Sequence, residues 1–104
     1  MAQFWVYKNG SEKNTEFPYL LDIQNNLLEA LDTRVVVPLV PVGKMGYGGI
    51  QSLEPVFKIG AKSYSMSTPD IASMPRKLLG QKVMDLSAER GAIVGAFDFL
   101  ISGF

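Results

Sequence analysis

The stretch RVVVPLVP, residues 34–41, is rich in β-branched side chains and predicts a strand at the centre of a sheet. Pro38 and Pro41 complicate this assignment, because a proline has no N–H group to donate to a neighbouring strand. We therefore expect both prolines to lie at a bulge or at a sheet edge. The segments on either side decide what kind of sheet this strand enters.

Two more strands are predicted before residue 34. QFWVYK (3–8) and FPYLLDIQ (17–24) alternate in the way that strands do. The polar NGSEKNTE (9–16) opens with Asn-Gly, which favours a hairpin connection between them. NNLLEALDT (25–33) does not alternate and predicts a short helical turn or wound loop. The side chains expected to share a face are Phe4 with Val6, Trp5 with Tyr7, and Tyr19 with Leu21 and Ile23.

The segments after the central stretch predict further strands. EPVFKIGAKSYSM (54–66) predicts two strands joined at Gly60-Ala61, where glycine in first position suits a type II′ turn. TPDIASMPRKLL (68–79) begins with a turn signal and continues extended. The glycine-rich VGKMGYGG (42–49) lacks the ending of a phosphate-binding P-loop, so we interpret it as a surface loop. Strands with short connections predict an antiparallel sheet curled into a small barrel-like body.

One helix is predicted, over DLSAERGAIVGAFDFLI (85–101), with Ser87 as its cap and Glu89 favouring its first turn. Gly91 and Gly95 each destabilise a helix by about 1 kcal/mol relative to alanine. They favour close approach of another backbone, either the protein's own sheet or the same helix of a second subunit. Apolar residues at helical spacing predict the buried stripe, which comprises Ile93, Val94, Phe97, Leu100 and Ile101.

Composition favours a binding protein over an enzyme. The chain has no cysteine and no histidine, which removes thiol nucleophiles, the commonest general base and the commonest metal ligand. Ten basic residues balance ten acidic residues, so binding driven by counterion release from nucleic acid is disfavoured. We expect no metal, no cofactor and no direct nucleic-acid binding.

The length and the apolar fraction of the chain limit the number of domains and indicate how the chain could assemble. A chain of 104 residues predicts a single domain, residues 1–104. An apolar fraction of 47% is high for a body with so much surface, and it favours either a well-filled core or an apolar face covered by a second copy. The sequence has no signal-peptide pattern and no apolar run long enough to span a bilayer, so we expect a cytoplasmic protein.

Few residues in the sequence are candidates for a catalytic or phosphate-binding role. Asp98 stands out among the carboxylates because it interrupts the apolar run of the predicted helix. Arg34, Arg76 and Arg90 could steady a phosphate in an RNA-cleaving site, although no pattern places them together.

Taken in order, the segments resemble the CcdB family of bacterial toxins over the whole chain. The resemblance implies a homodimer with a barrel-like antiparallel sheet of the SH3-like kind, a minor side sheet and a C-terminal helix. It also implies a non-enzymatic toxin that binds the A subunit of DNA gyrase, traps the complex in which DNA is cut, and is released by a CcdA-like antitoxin. The stretches that carry the resemblance are QFWVY (3–7), DIQNNLL (22–28), RVVVPL (34–39), EPVFKIG (54–60), MSTPDIASMP (66–75), DLSAER (85–90) and SGF (102–104).

The resemblance also implies a gyrase-contacting surface, made from the chain start, the segment after the second strand and the last residues. Well-known members end in Trp-Gly-Ile, where the tryptophan can stack on a gyrase arginine. This chain has Ser102 there, and a serine forgoes a cation–π contact worth about 2 kcal/mol at a desolvated site. Asp98 stands where those members have asparagine, and Phe104 replaces the final isoleucine. The implied surface comprises Gln3, Phe4, Tyr7, Asn25, Leu27, Leu28, Asp98, Ser102, Gly103 and Phe104.

Two alternatives share the same fold. One is an RNA-cleaving toxin of the MazF kind, since that family has the same architecture. The other is a non-toxic homologue that binds an antitoxin.

Overall fold

The central stretch forms the longest strand of an antiparallel sheet in the computed structural model, which describes residues 2–12, 14–42 and 52–103. The predicted fold class, mainly β with one C-terminal helix, is confirmed. The glycine-rich stretch 43–49 and Phe104 lie outside the described residues. In chain order the elements are β1 (Trp5–Asn9), β2 (Tyr19–Asp22), β3 (Thr33–Pro41), β4 (Val56–Ile59), β5 (Lys62–Met66), β6 (Ala72–Pro75), β7 (Leu79–Asp85) and α1 (Arg90–Ser102).

The sheet is organised around β3. Its strands follow the order β4-β5-β3-β2-β1-β7, and β6 also pairs with β3. Val36 pairs with Asp22 of β2 and Ala72 of β6, whereas Leu39 pairs with β2 and β5. β3 therefore has β2 along one side, and β6 followed by β5 along the other. The predicted side sheet corresponds to β4 and β5, which the structure joins to the main sheet through β3.

The structure places Pro38 differently from the prediction of a bulge or an edge. Pro38 is buried in the middle of β3 and lies opposite Leu20 of β2. On the other side it falls where β3 changes partner from β6 to β5, and its carbonyl accepts a hydrogen bond from the Ser67 N–H at 2.9 Å. The N–H that proline lacks would point into this gap, so no ladder bond is lost.

Strand alternation divides the core between the two faces of the sheet, as predicted. Phe4, Val6 and Leu21 pack on the face that α1 covers through Ile93 and Ala96. Tyr7, Leu20, Val36 and Leu79 pack on the opposite face with Trp5 and Met74. The predicted hairpin at Gly60-Ala61 is also confirmed, and Gly60 has the positive φ of +63° that a type II′ turn needs at its first position.

The helix begins later than predicted, and Ser87 does not cap it. Residues Ser87–Glu89 form a 3₁₀ turn, and α1 starts at Arg90 without a side-chain cap. The Asp85 side chain accepts a hydrogen bond from the Ser87 N–H at 2.8 Å, so Ser87 takes part only through its backbone.

The predicted apolar stripe of α1 is only partly buried. Ile93 and Ala96 are fully buried and Phe97 packs against them. Ile101, expected to anchor the helix, is 83% exposed, and Val94 and Leu100 are also exposed. A Cβ atom at Gly91 or Gly95 would meet nothing within 4 Å, so these glycines do not face the protein's own sheet.

The sequence also underestimated the number of strands. The extended segment predicted over 68–79 contains β6 between two 3₁₀ turns, Thr68–Asp70 and Arg76–Leu78. β7 follows it and pairs with β1 at the sheet edge. Among the described residues, no helix is long and apolar enough to cross a membrane.

Candidate partner-binding site

Residues 25–31, which we call the leucine turn, present apolar side chains to solvent between β2 and β3. Asn26–Leu28 form a 3₁₀ helix, capped by the Asn25 side chain, which accepts a hydrogen bond from the Leu27 N–H at 2.8 Å. Leu27 is 90% exposed, Leu28 51% and Leu31 49%. The predicted helical turn is confirmed, and its leucines are available for contact with a partner.

The chain start lies against the leucine turn. The Gln3 N–H donates to Asn26 Oδ1 at 2.9 Å, and Gln3 Nε2 donates to the Ile23 carbonyl at 3.2 Å. The structure therefore brings together four residues of the implied surface, namely Gln3, Asn25, Leu27 and Leu28.

Phe4 and Tyr7 do not offer their rings to a partner. Phe4 is 5% exposed and belongs to the core, with Arg90 Cζ 5.3 Å from its ring centroid. Tyr7 is 3% exposed on the opposite face, and its hydroxyl accepts a hydrogen bond from the Ala2 N–H at 3.0 Å. Both rings are buried in this chain, on opposite faces of the sheet, so a gyrase contact at these two positions stays a prediction.

The Phe4 backbone is strained, which fixes the position of the chain start. Its φ is +66°, in the left-handed region that bulky residues rarely adopt. The Phe4 N–H donates to the Asp22 carbonyl at 2.5 Å, and the Leu86 N–H donates to the Phe4 carbonyl at 2.8 Å. These bonds to β2 and to the segment before α1 hold the conformation in place.

A buried polar cluster lies beneath the leucine turn. Arg34 Nε and Nη2 approach Asp22 Oδ2 at 2.9 Å and 2.8 Å, and both side chains are fully buried. Gln24 extends the cluster, since its N–H donates to Asp22 Oδ1 and its carbonyl accepts from Arg34. Burial raises the pKa of Asp22, although the Gln24 N–H and the Arg34 guanidinium oppose the rise. The Arg34 side chain is thus buried and paired with Asp22, so it is not available to contact a phosphate.

The other two arginines also have internal roles. Arg76 donates to backbone carbonyls of the leucine turn, and Arg90 lies over Phe4. The structure therefore does not assemble Arg34, Arg76 and Arg90 into one phosphate-binding group.

The resemblance assigns the end of α1 to the implied surface as its second part. Asp98 is exposed, and its carbonyl accepts a hydrogen bond from the Ser102 hydroxyl at 2.7 Å. Gly103 has a φ of +79° and closes the helix through its N–H, which donates to the Phe99 carbonyl at 2.8 Å. These hydrogen bonds stay within the helix, so they leave its end facing outward.

Two of the exposed apolar residues that the sequence reasoning missed lie near residues of the implied surface along the chain. Leu31 belongs to the leucine turn, where its place between Ala30 and Asp32 in a non-alternating segment was the available signal. Ile101 was assigned to the core, yet it is exposed one residue before Ser102.

The described residues contain no group of three or more His, Cys, Asp or Glu side chains that could hold a metal ion. A cleft of about 290 Å³ opens on the face opposite α1, and Asp70 is the one titratable residue among the described residues that line it. Its Oδ2 accepts a hydrogen bond from the Ser67 hydroxyl at 2.6 Å.

A comparison with known protein families finds the same family that the sequence resembles. The family model described as CcdB protein matches residues 3–103, which is nearly the whole chain. A match of this extent supports the role of a toxin in a toxin–antitoxin system. The chain belongs to the CcdB family.

Proposed function

We propose that this protein is the toxin of a type II toxin–antitoxin system, that it binds the A subunit of DNA gyrase and traps the cleaved-DNA complex, and that a CcdA-like antitoxin neutralises it. The observation that carries the proposal is the leucine turn, with Leu27 90% exposed, in a chain that matches the CcdB family over residues 3–103. Three exposed leucines within one turn form an apolar patch of the kind that marks a protein-binding site.

The proposed action is binding without catalysis. Support comes from the absence of cysteine and histidine in the sequence and from the buried pairing of Arg34 with Asp22. A phosphate-cleaving site needs a positioned acid–base pair and a cation that can reach the phosphate. Arg34 is fully buried and cannot serve as that cation, which weighs against the MazF-like alternative.

The proposed toxin acts as a homodimer. Support comes from α1, where Val94, Leu100 and Ile101 are 38%, 39% and 83% exposed. Gly91 and Gly95 leave open space beside them, which allows a second backbone to approach. A second copy would cover apolar surface that one chain leaves in water.

A binding experiment tests the proposal. Purified protein is titrated against the A subunit of gyrase, and Leu27→Asp is compared with Val56→Asp, a control at a residue on β4 that is 47% exposed. Burial of a leucine side chain is worth about 1.5–3 kcal/mol, so Leu27→Asp should weaken binding more than about tenfold while the control binds normally.

The outcomes separate the alternatives. Absence of binding by the wild-type protein, together with cleavage of RNA, would assign the chain to the RNA-cleaving kind. Absence of both activities, with binding of a CcdA-like antitoxin retained, would indicate a non-toxic homologue.

A further inference from the structure

The backbone of the leucine turn is held from both sides by side-chain donors. From the sheet, Gln24 Nε2 donates to the Leu28 carbonyl at 3.0 Å, while Gln24 Oε1 accepts from the Val35 N–H at 3.0 Å. From the opposite side, Arg76 Nη2 donates to the Glu29 carbonyl and, at 2.8 Å, to the Leu31 carbonyl. Gln24 adds to the hydrogen bond that the Leu28 carbonyl accepts from the Leu31 N–H at 3.1 Å, and Arg76 ties the Glu29 and Leu31 carbonyls to a distant part of the chain.

Strand pairing places Arg76 at this position. Thr33 of β3 pairs with Pro75 of β6, and the Arg76 N–H donates to the Asp32 carbonyl at 2.9 Å. The 3₁₀ turn that follows β6 therefore starts directly against the end of the leucine turn. The arginine reaches the turn from a part of the chain more than 40 residues away, as the sequence separations of 47 and 45 show.

We propose that Arg76 is a positioning residue, which holds the leucine turn in the shape that a partner binds. The role rests on the proposed function, because the leucines are the part of the turn that the A subunit of gyrase would contact. An unrestrained turn would lower its free energy by folding its leucines toward the protein, since each square ångström of apolar surface removed from water contributes about 25 cal/mol. Arg76 opposes that collapse by fixing the backbone between Leu28 and Leu31.

The contacts of Arg76 predict that its removal affects partner binding more than it affects overall stability. Both of its hydrogen bonds to the leucine turn are exposed, so they add little to the free energy of unfolding of the whole domain. Fixing the turn before binding spares the ordering free energy that a mobile turn would lose on complex formation. Removal of Arg76 should therefore reduce affinity and local order much more than it reduces the melting temperature.

The test compares Arg76→Met with Lys77→Met. Lys77 is the next residue, is exposed and carries the same charge, so its variant controls for loss of a positive charge. Two quantities are measured in the full chain: affinity for the A subunit of gyrase, and hydrogen exchange at the amides of Leu28, Glu29 and Leu31, which bond within the turn.

Arg76→Met should bind about fivefold to tenfold more weakly, the scale of ordering one segment at an interface. Its amides in the leucine turn should exchange at least about tenfold faster, because the turn opens locally. Lys77→Met should match the wild type in both. Arg76→Lys keeps a positively charged donor, but its ammonium differs in reach and geometry from the Nη2 atom that donates to both carbonyls, so it should fall between Arg76→Met and the wild type.

Three results would overturn the role. Unchanged affinity or unchanged exchange in Arg76→Met, with normal binding by the wild type, would show that the turn does not depend on this arginine. Equal losses in Lys77→Met would show that charge alone matters. Failure of the wild type itself to bind the A subunit would overturn the proposed function, and the recognition role of Arg76 with it.

Discussion

Replacement of Arg34 by methionine should destabilise the protein severely, because it strips a buried carboxylate of its counter-ion. Arg34 Nε donates to Asp22 Oδ2 at 2.9 Å, Arg34 Nη2 lies 2.8 Å from the same oxygen as an ion pair, and both side chains are fully buried. In Arg34→Met, the Asp22 carboxylate keeps the hydrogen bond that its Oδ1 accepts from the Gln24 N–H at 3.0 Å. Breaking one partner of such a pair costs about 3–5 kcal/mol.

That loss is large for a domain of this size. Domains of about 100 residues unfold with free energies of roughly 5–15 kcal/mol, so Arg34→Met removes about a third or more of the total in a typical case. The corresponding drop in melting temperature is on the order of 15–30 °C. Chemical denaturation and thermal unfolding, followed by circular dichroism, measure both quantities.

A double variant separates loss of the ion pair from loss of packing. Arg34→Met with Asp22→Leu removes both charges, and it should recover most of the stability, because apolar replacements of a buried pair are often neutral. Arg90→Met is the control, since Arg90 is exposed and its contact with Phe4 is worth about 0.5–1 kcal/mol. A loss below about 1 kcal/mol in Arg34→Met would refute the assignment of Arg34 to a buried structural pair.

Four further outcomes are expected. Gly95→Ala should weaken self-association in sedimentation experiments, because a Cβ added in the single chain meets nothing within 4 Å and would meet the second copy instead; unchanged self-association, with a gain in stability of about 0.5–1 kcal/mol, would mean that no second copy lies against this glycine. Gly103→Val should weaken gyrase binding with little change in melting temperature, because valine resists the φ of +79°; a large melting change with binding retained would mean that the helix end belongs to the core. Deletion of residues 102–104 should abolish gyrase binding in a pull-down while the melting temperature changes little, since Ser102 and Gly103 are exposed, and retained binding would contradict their role. Asp22→Asn should flatten the pH dependence of stability: the folded-state pKa of Asp22 is raised above 3.8, so its contribution is full below that value and is lost as the pH rises through the folded-state pKa, and identical pH profiles for variant and wild type would exclude this group.

The features that the sequence predicted depend on neighbours along the chain. Alternation has a period of two residues, so it placed Val6 and Tyr7 on opposite faces before any strand partner was known. The hairpin at Gly60 was equally local, because a two-residue connection with glycine first has few backbone solutions.

The features that it did not predict depend on distant partners. Pro38 fits inside the central strand only because β3 changes neighbour beside it, and nothing in residues 34–41 reveals that change. Asp22 and Arg34 meet across two paired strands, and their contact follows from a register that alternation does not fix.

Ile101 departs from the predicted helix stripe for a geometric reason. Ile101 follows Ile93 by eight residues, so at 3.6 residues per turn it has rotated about 80° away from the buried direction. The gyrase-contacting surface implied by the resemblance had a similar weakness, because a resemblance assigns sequence positions without showing whether their side chains are buried. That is why Phe4 and Tyr7 were included although both are buried.

Gyrase poisoning itself can be measured with purified components. Gyrase is incubated with supercoiled plasmid and ATP, with and without this protein, and the reaction is stopped with detergent and protease so that any trapped cleavage complex appears as linear DNA. We predict that linear DNA accumulates with the wild-type protein, falls sharply with Leu27→Asp, and persists with Val56→Asp. No linear DNA at any concentration of a folded wild-type protein, or equal accumulation with gyrase left out, would contradict the proposal that this chain poisons gyrase.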